Sequence, residues 1–341
     1  MSTITEYLEI ILEGNDLTFK QAKKLLDTVF EGDVADVQIA AFLAAMRLKE
    51  ATPEEIAGLA KSLRNHAVPV KANVENLIDT CGTGGARTKI FNVSTASALV
   101  AAGAGAYVAK HGNRGITSKC GSADVLAKLG VKIDASPEII AHCIEEAHIG
   151  FMFAPLFHPA MKFVQPIRKS LDFRTAFNIL GPLANPAGAA SQVMGVYSEH
   201  LLDSIIETHK ILGTKRALVV HSSGLDEISI AGPTKIRKLE DGKITSMDLE
   251  PSDYGISKGS IDDLRGSDAE TNANIIKNIV SGNEKGPKKD MVVINAAAAI
   301  IVSDIACDFA SAIKVAQRSI TEGKALACLE KLVEISNQDE Q

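Results

Sequence analysis

Four clusters of residues in this 341-residue chain have types and spacings that chemistry requires. The first is Gly82-Thr83-Gly84-Gly85, followed by Asn92-Val93-Ser94-Thr95. Closely spaced glycines let a backbone turn tightly and bring N–H groups onto an anion with no Cβ in the way. A helix opening near Ser94 would add its positive N-terminal end. Neither the G-x-x-x-x-G-K-[ST] pattern nor G-x-G-x-x-G occurs here, so a plain glycine turn before a Ser/Thr helix cap remains an alternative. The second cluster is Lys110-His111-Gly112-Asn113-Arg114-Gly115, completed by Thr117-Ser118-Lys119 and Gly121-Ser122. Glycines and hydroxyls between the cations make a poor strand and a poor helix, but a good anion cradle. Lys acts as a point charge, Arg as a fork, and Ser/Thr with backbone N–H as neutral donors. A solvated basic loop is the alternative. Third comes Asp226-Glu227. In a strand these carboxylates would point to opposite faces, whereas in a turn both can converge on a hard cation such as Mg²⁺. As an isolated pair they would equally suit a solvated acidic turn. The fourth is Pro166-Ile167-Arg168-Lys169 with Arg174 to Pro186, where an Arg near aromatic residues could pair with a small carboxylate substrate or with core acids.

What is missing narrows the chemistry. The chain has no G-x-S-x-G elbow, no H-E-x-x-H and no Cys/His nucleophile signature. No covalent nucleophile or obligate acid/base stands out; His142, His148, His158 and His209 read as packed or surface residues. Lys+Arg of 36 against Asp+Glu of 42 gives a net charge of −6, and aromatic residues make up only 4%. Nucleic-acid binding, which wants a basic stripe and stacking platforms, is not expected. The apolar runs 98–106 and 296–302 are too short to span a bilayer, which needs about 20 residues. The N-terminal stretch carries acids where a signal peptide would carry Lys or Arg. Five scattered cysteines with no C-x-x-C pair read as reduced thiols. A cytoplasmic protein is the expectation.

The elements that would position these clusters follow from periodicity. Segments 18–31, 35–48 and 53–66 place apolar residues at helical spacing, and Thr52-Pro53-Glu54-Glu55 is a helix start. The face of Ile39, Ala40, Phe42, Leu43, Met46 and Leu48 suits either a helix–helix core or a subunit interface. Beyond Pro69 the texture changes. Strand candidates at 76–80 and 107–109 alternate with helices at 92–105, 122–130 and 137–147, and segments 217–221, 228–232 and 291–302 extend the alternation. That pattern implies a mostly parallel sheet flanked by helices. Segment 155–190, rich in Pro, Phe and Arg, breaks it and reads as a connection back to the helical part.

Taken in series, CGTGG (81–85), NVSTAS (92–97), KHGNRGITSKCGSADVLAKLG (110–130), HPAMK (158–162), RTAFNILGPLANP (174–186) and LDE (225–227) resemble the anthranilate phosphoribosyltransferase family over nearly the whole chain. The resemblance implies an α/β fold in which a small N-terminal α-helical domain joins a larger α/β domain with a mostly parallel central sheet flanked by helices. The small domain would comprise 1–72, completed by a segment near 166–190; the large one would comprise 73–165 and 191–341. It also implies a homodimer through the helical domain. The implied reaction moves the phosphoribosyl group of phosphoribosyl pyrophosphate (PRPP) onto the anthranilate amine, releasing pyrophosphate, with Mg²⁺ (two per subunit when substrate is bound). Carried over residue by residue, PRPP falls to Gly82, Gly85, Asn92, Val93, Ser94, Thr95, Lys110, His111, Gly112, Asn113, Arg114, Ser118 and Ser122. Anthranilate falls to Gly82, Asn113 and Arg168 with His111 beside them, and the metal to Ser94, Asp226 and Glu227.

Two neighbouring readings share the fold: a pyrimidine-nucleoside phosphorylase, and a non-enzymatic relative that binds nucleic acid. The paired GTGG and NVST loops with the LDE carboxylates favour a pyrophosphate-plus-metal donor over the first. A net charge of −6 and intact carboxylates speak against the second. The chain departs from the family pattern where Asp often follows GTGG and Thr often stands two residues before the Asn; here Ala86 and Ile90 occupy those positions. Altered donor affinity or Mg²⁺ dependence is expected, rather than loss of function. Ala86→Asp should therefore change the donor KM or the Mg²⁺ response, and steady-state assays showing neither would refute the expectation.

Overall fold

The computed structural model describes residues 3–84, 90–115 and 120–338. Four helices come first: α1 (Thr3–Leu12), α2 (Phe19–Glu31), α3 (Asp36–Lys49) and α4 (Pro53–Asn65). Local sequence explains their ends. Thr18 and Thr52 each accept a backbone N–H of their helix's first turn, while Gln21 and Glu55 reach back to the cap, so both helices open on a capping box. Glu55 is fully buried yet satisfied, accepting from the Leu17 amide at 2.8 Å and pairing with Lys49 at 2.8 Å. Of the apolar face on α3, Ile39, Phe42, Leu43 and Met46 lie inside the core and Leu48 is exposed. For those four residues the helix–helix core is the outcome.

The α/β body follows as β1 (Ile78–Gly82), α5 (Val93–Gly103), β2 (Val108–Gly112), α6 (Ser122–Lys128), α7 (Pro137–Ala147) and β3 (Ile149–Phe153). Short helices α8 (Ala154–Phe157), α9 (Gln165–Leu171) and α10 (Phe177–Leu180) then lead to β4 (Ser191–Gly195), α11 (Leu201–Ile211) and β5 (Arg216–His221). An antiparallel hairpin, β6 (Thr234–Glu240) and β7 (Lys243–Leu249), turns on Asp241-Gly242, both in the left-handed region, as a tight hairpin requires. Helices α12 (Ala269–Val280), α13 (Pro287–Val302), α14 (Phe309–Thr321) and α15 (Lys324–Ser336) complete the chain.

The sheet order is β3-β2-β1-β4-β5-β6-β7, with the first five strands parallel. From β1 the chain winds outward through β2 to β3, then returns to lay β4 on the other side of β1. The carboxyl ends of β1 and β4 therefore flank the point where the winding reverses, the crevice in which open α/β sheets bind ligands. Helix α13, buried from Met291 to Val302, packs with α5 in one large core over the sheet. A second core joins α1–α4 to Val164, Ile167, Phe177, Leu180 and Leu183 of the mid-chain segment, and to α11 and Val219 of the sheet.

Two expectations need correction. Residues Ile228–Gly232 form no regular strand; their bonds go to Asn295 and Thr234 instead of a neighbouring strand. The basic motif does not begin after its strand but within it, because β2 runs through Lys110, His111 and Gly112 in register with Phe151, Met152 and Phe153. Parallel pairing on both sides of β2 overrides the weak local propensity of that stretch.

His209 of α11 is buried with its Nδ1 on the Thr214 hydroxyl at 3.1 Å, and burial pushes it down to about 3 from 6.5. The unfolded chain therefore takes up this proton first. The contribution of His209 to stability is full above pH 6.5 and falls as pH drops toward 3, by up to ~1.4 kcal/mol per pH unit. His209→Gln should flatten the dependence of the urea midpoint on pH between 6.5 and 5 relative to wild type; an unchanged slope would show that His209 is not buried neutral.

Candidate active site

One cleft of about 410 Å³ lies at the reversal point, lined by Gly82, Asn92, Val93, Ser94, Thr95, Lys110, His111, Gly112, Asn113, Arg114, Ser122, Arg168, Asp226 and Glu227. These are all the anticipated site residues that the structure describes. Gly85, Ser118 and Ala86 lie outside the described residues. The cleft also takes in Arg174 and Asn178.

Its floor is a close approach of backbone to backbone. A Cβ at Gly195, the last residue of β4, would land on the Asp226 carbonyl, and one at Gly82 would land on the Asp226 carboxylate. Only glycine at the ends of these two strands lets the 222–228 segment cross them. Asp226 Oδ2 then accepts the Gly84 amide at 2.8 Å, and Thr83 is held by its amide on Gly195 O at 2.9 Å. Glu227 is held beside the first turn of α5, accepting a backbone bond from Ser94.

The charges are arranged against one another. Lys110 is only 2% exposed, and its Nζ donates to Thr80 O at 2.7 Å and to Ser94 Oγ at 3.4 Å. Burial lowers its pKa, opposed by Asp79 beneath it. Asp79 is fully buried and raised by that burial; it accepts from the His111 amide at 3.4 Å and Gln192 Nε2 at 3.2 Å. Burial first, and then Asp226, raise Glu227 to about 8. Burial likewise raises Asp226. Two adjacent carboxyls whose charged forms burial disfavours suit a divalent cation, which would remove both the repulsion and the desolvation cost. Among the described residues no three His, Cys, Asp or Glu side chains gather round one point. A cation here would take two protein carboxylates and complete its shell with a hydroxyl, water or substrate oxygens, as Mg²⁺ does.

On the opposite wall, Gly112 admits Ser122, whose Oγ occupies the space a Cβ would need, and Ser122 donates to Asn113 O at 3.4 Å. Arg114 pairs with Asp124 at 3.0 Å, and Asp124 also accepts the Gly115 and Gly121 amides, so the described part of this loop folds round one carboxylate. Helix α5 opens at Asn92 without a side-chain cap, and the hydroxyl of buried Thr95 has no hydrogen-bond partner among the described residues. At the rim, Arg168 lies 5.4 Å from the centre of the Phe177 ring, and Arg174 lies 4.2 Å from that of Tyr197.

His158 is packed, within what the sequence reading expected, but its partner was not anticipated. It is buried, and its Nε2 stands 3.2 Å from Nε2 of His111. One of these two nitrogens donates to the other, and which one does depends on the tautomers. Burial lowers His111 to about 3 and His158 to about 4, so both rings are neutral near pH 7. Nothing in the spacing of His111 and His158 signals this pairing; β2–β3 pairing and the following short helix create it. His142 is exposed, His148 stacks on Tyr107, and His209 is buried, as anticipated.

A glycosyltransferase built from a helical bundle and an α/β domain is the class this fold and cleft define: residues 5–67 match the helical-bundle domain model of the glycosyl transferase family and residues 74–326 its a/b domain model. The chain is 47% identical over 334 residues to the anthranilate phosphoribosyltransferase of Methanocorpusculum labreanum, covering 98% of both. The crystal structure of that enzyme from Thermus thermophilus superposes with a TM-score of 0.93 at 36% identity, covering 99% of this chain and 100% of the other. The Saccharomyces cerevisiae enzyme in complex with PRPP and Mg superposes at 0.88 with 27% identity, covering 98% of each chain. The chain belongs to the anthranilate phosphoribosyltransferase family.

Gly195→Ala forces the 222–228 crossing off the sheet. A loss of at least ~1–3 kcal/mol is expected from overpacking, read as a lowered Tm. The same variant should blunt any response to Mg²⁺, because both carboxylates ride on that segment; an unchanged Tm and Mg²⁺ response would contradict the crossing.

Proposed function

We propose that this cleft is where the family's reaction runs: transfer of the phosphoribosyl group of PRPP to the amine of anthranilate, giving N-(5-phosphoribosyl)anthranilate and pyrophosphate for tryptophan biosynthesis. The observation that carries the site assignment is the convergence of both anion cradles and the carboxylate pair on one crevice at the sheet's reversal point. Gly82, Gly85, Asn92, Val93, Ser94, Thr95, Lys110, Ser118 and Ser122, with the 111–114 stretch, hold PRPP. Asp226, Glu227 and the Ser94 hydroxyl serve Mg²⁺, two ions per subunit; the yeast relative in complex with PRPP and Mg supports a metal in this reaction. When bound, Mg²⁺ supplies charge neutralisation for the pyrophosphate.

The chemistry asks mainly for electrostatics. Breaking the anomeric C–O bond sends its electron pair to pyrophosphate and leaves positive charge on the ribose. Lys110 and the N-terminal end of α5 stabilise the departing anion without reorganising. An aromatic amine is a neutral nucleophile, so its lone pair forms the new C–N bond once Arg168 holds the anthranilate carboxylate, with Gly82, Asn113 and neutral His111 lining its place. With its pKa lowered to about 3 and its Nε2 already facing His158, His111 serves as a wall of this subsite rather than a base.

The division of the chain follows the same reading. Residues 1–72 with 166–190 form the helical part, and 73–165 with 191–341 the α/β part, consistent with the core that mid-chain residues share with α1–α4. Exposed Leu12, Val37 and Leu48 on α1 and α3 support a homodimer through the helical domain, which a monomeric mass in sedimentation would refute. Free thiols at all five cysteines fit a cytoplasmic location, testable by fractionation.

The direct test is anthranilate fluorescence with PRPP, with and without Mg²⁺. Mg²⁺-dependent loss of anthranilate matched by pyrophosphate release is expected, and donor binding with no turnover would point to another acceptor. Arg168→Ala should raise the anthranilate KM by at least about tenfold, the scale of a lost charged hydrogen bond, with little change in the donor KM. A donor-selective defect would overturn the placement of Arg168.

A further inference from the structure

We propose that Asn272, on α12 and outside the cleft, is a positioning residue for the donor site, acting by fixing which end of the Asn92 carboxamide faces the anion. The inference rests on the reading that the cleft holds PRPP.

Asn272 is 3% exposed and does not line the cleft. Its Oδ1 accepts the Ser267 amide at 3.0 Å, and a backbone N–H can only donate. The other end, Nδ2, therefore points away and donates to Asn92 Oδ1 at 2.9 Å. Asn92 is anchored independently: its Nδ2 donates to the Cys120 carbonyl at 3.4 Å, and a carbonyl can only accept. Two backbone groups of fixed polarity, one at each end, thus agree on the orientation of both carboxamides. The Cys120 thiol adds a third bond, 3.3 Å from Asn92 Oδ1. It remains a donor, since burial raises it to about 11.

This relay crosses three segments. At one end, loop 264–267 lies along 90–92, with the Phe91 amide on Leu264 O at 3.1 Å and Ile90 bridged to Arg265. Gly266 makes room, because a Cβ there would strike Asn272 Oδ1. At the other end, Cys120 precedes Gly121-Ser122 of the basic loop. Asn92 stands at the opening of α5 yet spends no bond on capping it. Its carboxamide is committed instead to Asn272 and Cys120, with its N–H end, not its oxygen, on the Cys120 carbonyl. If Asn272 no longer donates, Asn92 loses the partner that holds its oxygen inward. The reversed amide would set oxygen against Cys120 O and turn an acceptor toward an anion.

The test compares Asn272→Asp, which keeps the acceptor for Ser267 but cannot donate to Asn92, with wild type, Asn92→Ala and the double variant. Donor KM should rise about tenfold in Asn272→Asp, the scale of one lost and one repulsive hydrogen bond, with the anthranilate KM unchanged. On the Asn92→Ala background the same change should add less than about twofold, since the pair acts as one unit. Should the introduced carboxylate prevent folding, Asn272→Ala, which buries no charge, carries the same expectations. Wild type saturating with PRPP while the variants keep its donor KM would overturn the role of Asn272 alone. So would an equal rise in both KM values, or full additivity in the double variant, since either is what general loosening gives. Wild type failing to bind PRPP at all would overturn the reading of the cleft, and the inference with it.

Discussion

The structure depends on one crossing: the 222–228 segment lying directly on the ends of β1 and β4, where Gly82 and Gly195 present no side chain. Parallel strands place their carboxyl ends together, and the reversal of winding between β1 and β4 leaves a crevice there. The loop that follows β5, the strand paired with β4, is pressed into this crevice and brings Asp226 and Glu227 beside the opening of α5. The cost is visible in the Glu227 and Asp226 carboxyls, both raised by burial.

That cost is also what the site is for. A crevice lined by Lys110, the start of α5 and glycine amides favours an anion, while the carboxylate pair favours a cation. A metal–pyrophosphate complex carries both signs, so each wall finds its partner in a single ligand. Neighbouring groups are kept neutral or satisfied internally: His111 and His158 share one hydrogen bond and are both lowered by burial, and Asp79 sits below Lys110 with Gln192 and a backbone amide on its oxygens. The crevice thus concentrates charge where a departing pyrophosphate would develop it and keeps imidazoles out of the proton traffic.

Membership of the anthranilate phosphoribosyltransferase family rests on the order and spacing of short segments, since each alone fits several chemistries. The glycine run before a helix, the basic loop and the adjacent acids were legible because their chemistry depends on residue type and on near neighbours. Helices α2, α3 and α4 were legible for the same reason, through apolar period and local caps. The charged hairpin of β6 and β7 and the short β3 and β4 carried weaker signals, because their pairing partners lie far away in sequence.

What the sequence determined by itself, then, is an inventory: which groups can cradle phosphate, which can take a divalent cation, and which helices close on their own caps. Tertiary structure decided which of these groups meet. Lys110 became a buried strand residue because β2 is paired on both sides, although its own neighbours favour a loop. His158 reached His111, and Asn272 reached Asn92 across 180 positions, only through strand order and helix packing. Hydrogen bonds and desolvation act over a few ångströms whatever the separation along the chain, so spacing in sequence carries no record of them. It records the local forces alone, and the site is made by the others.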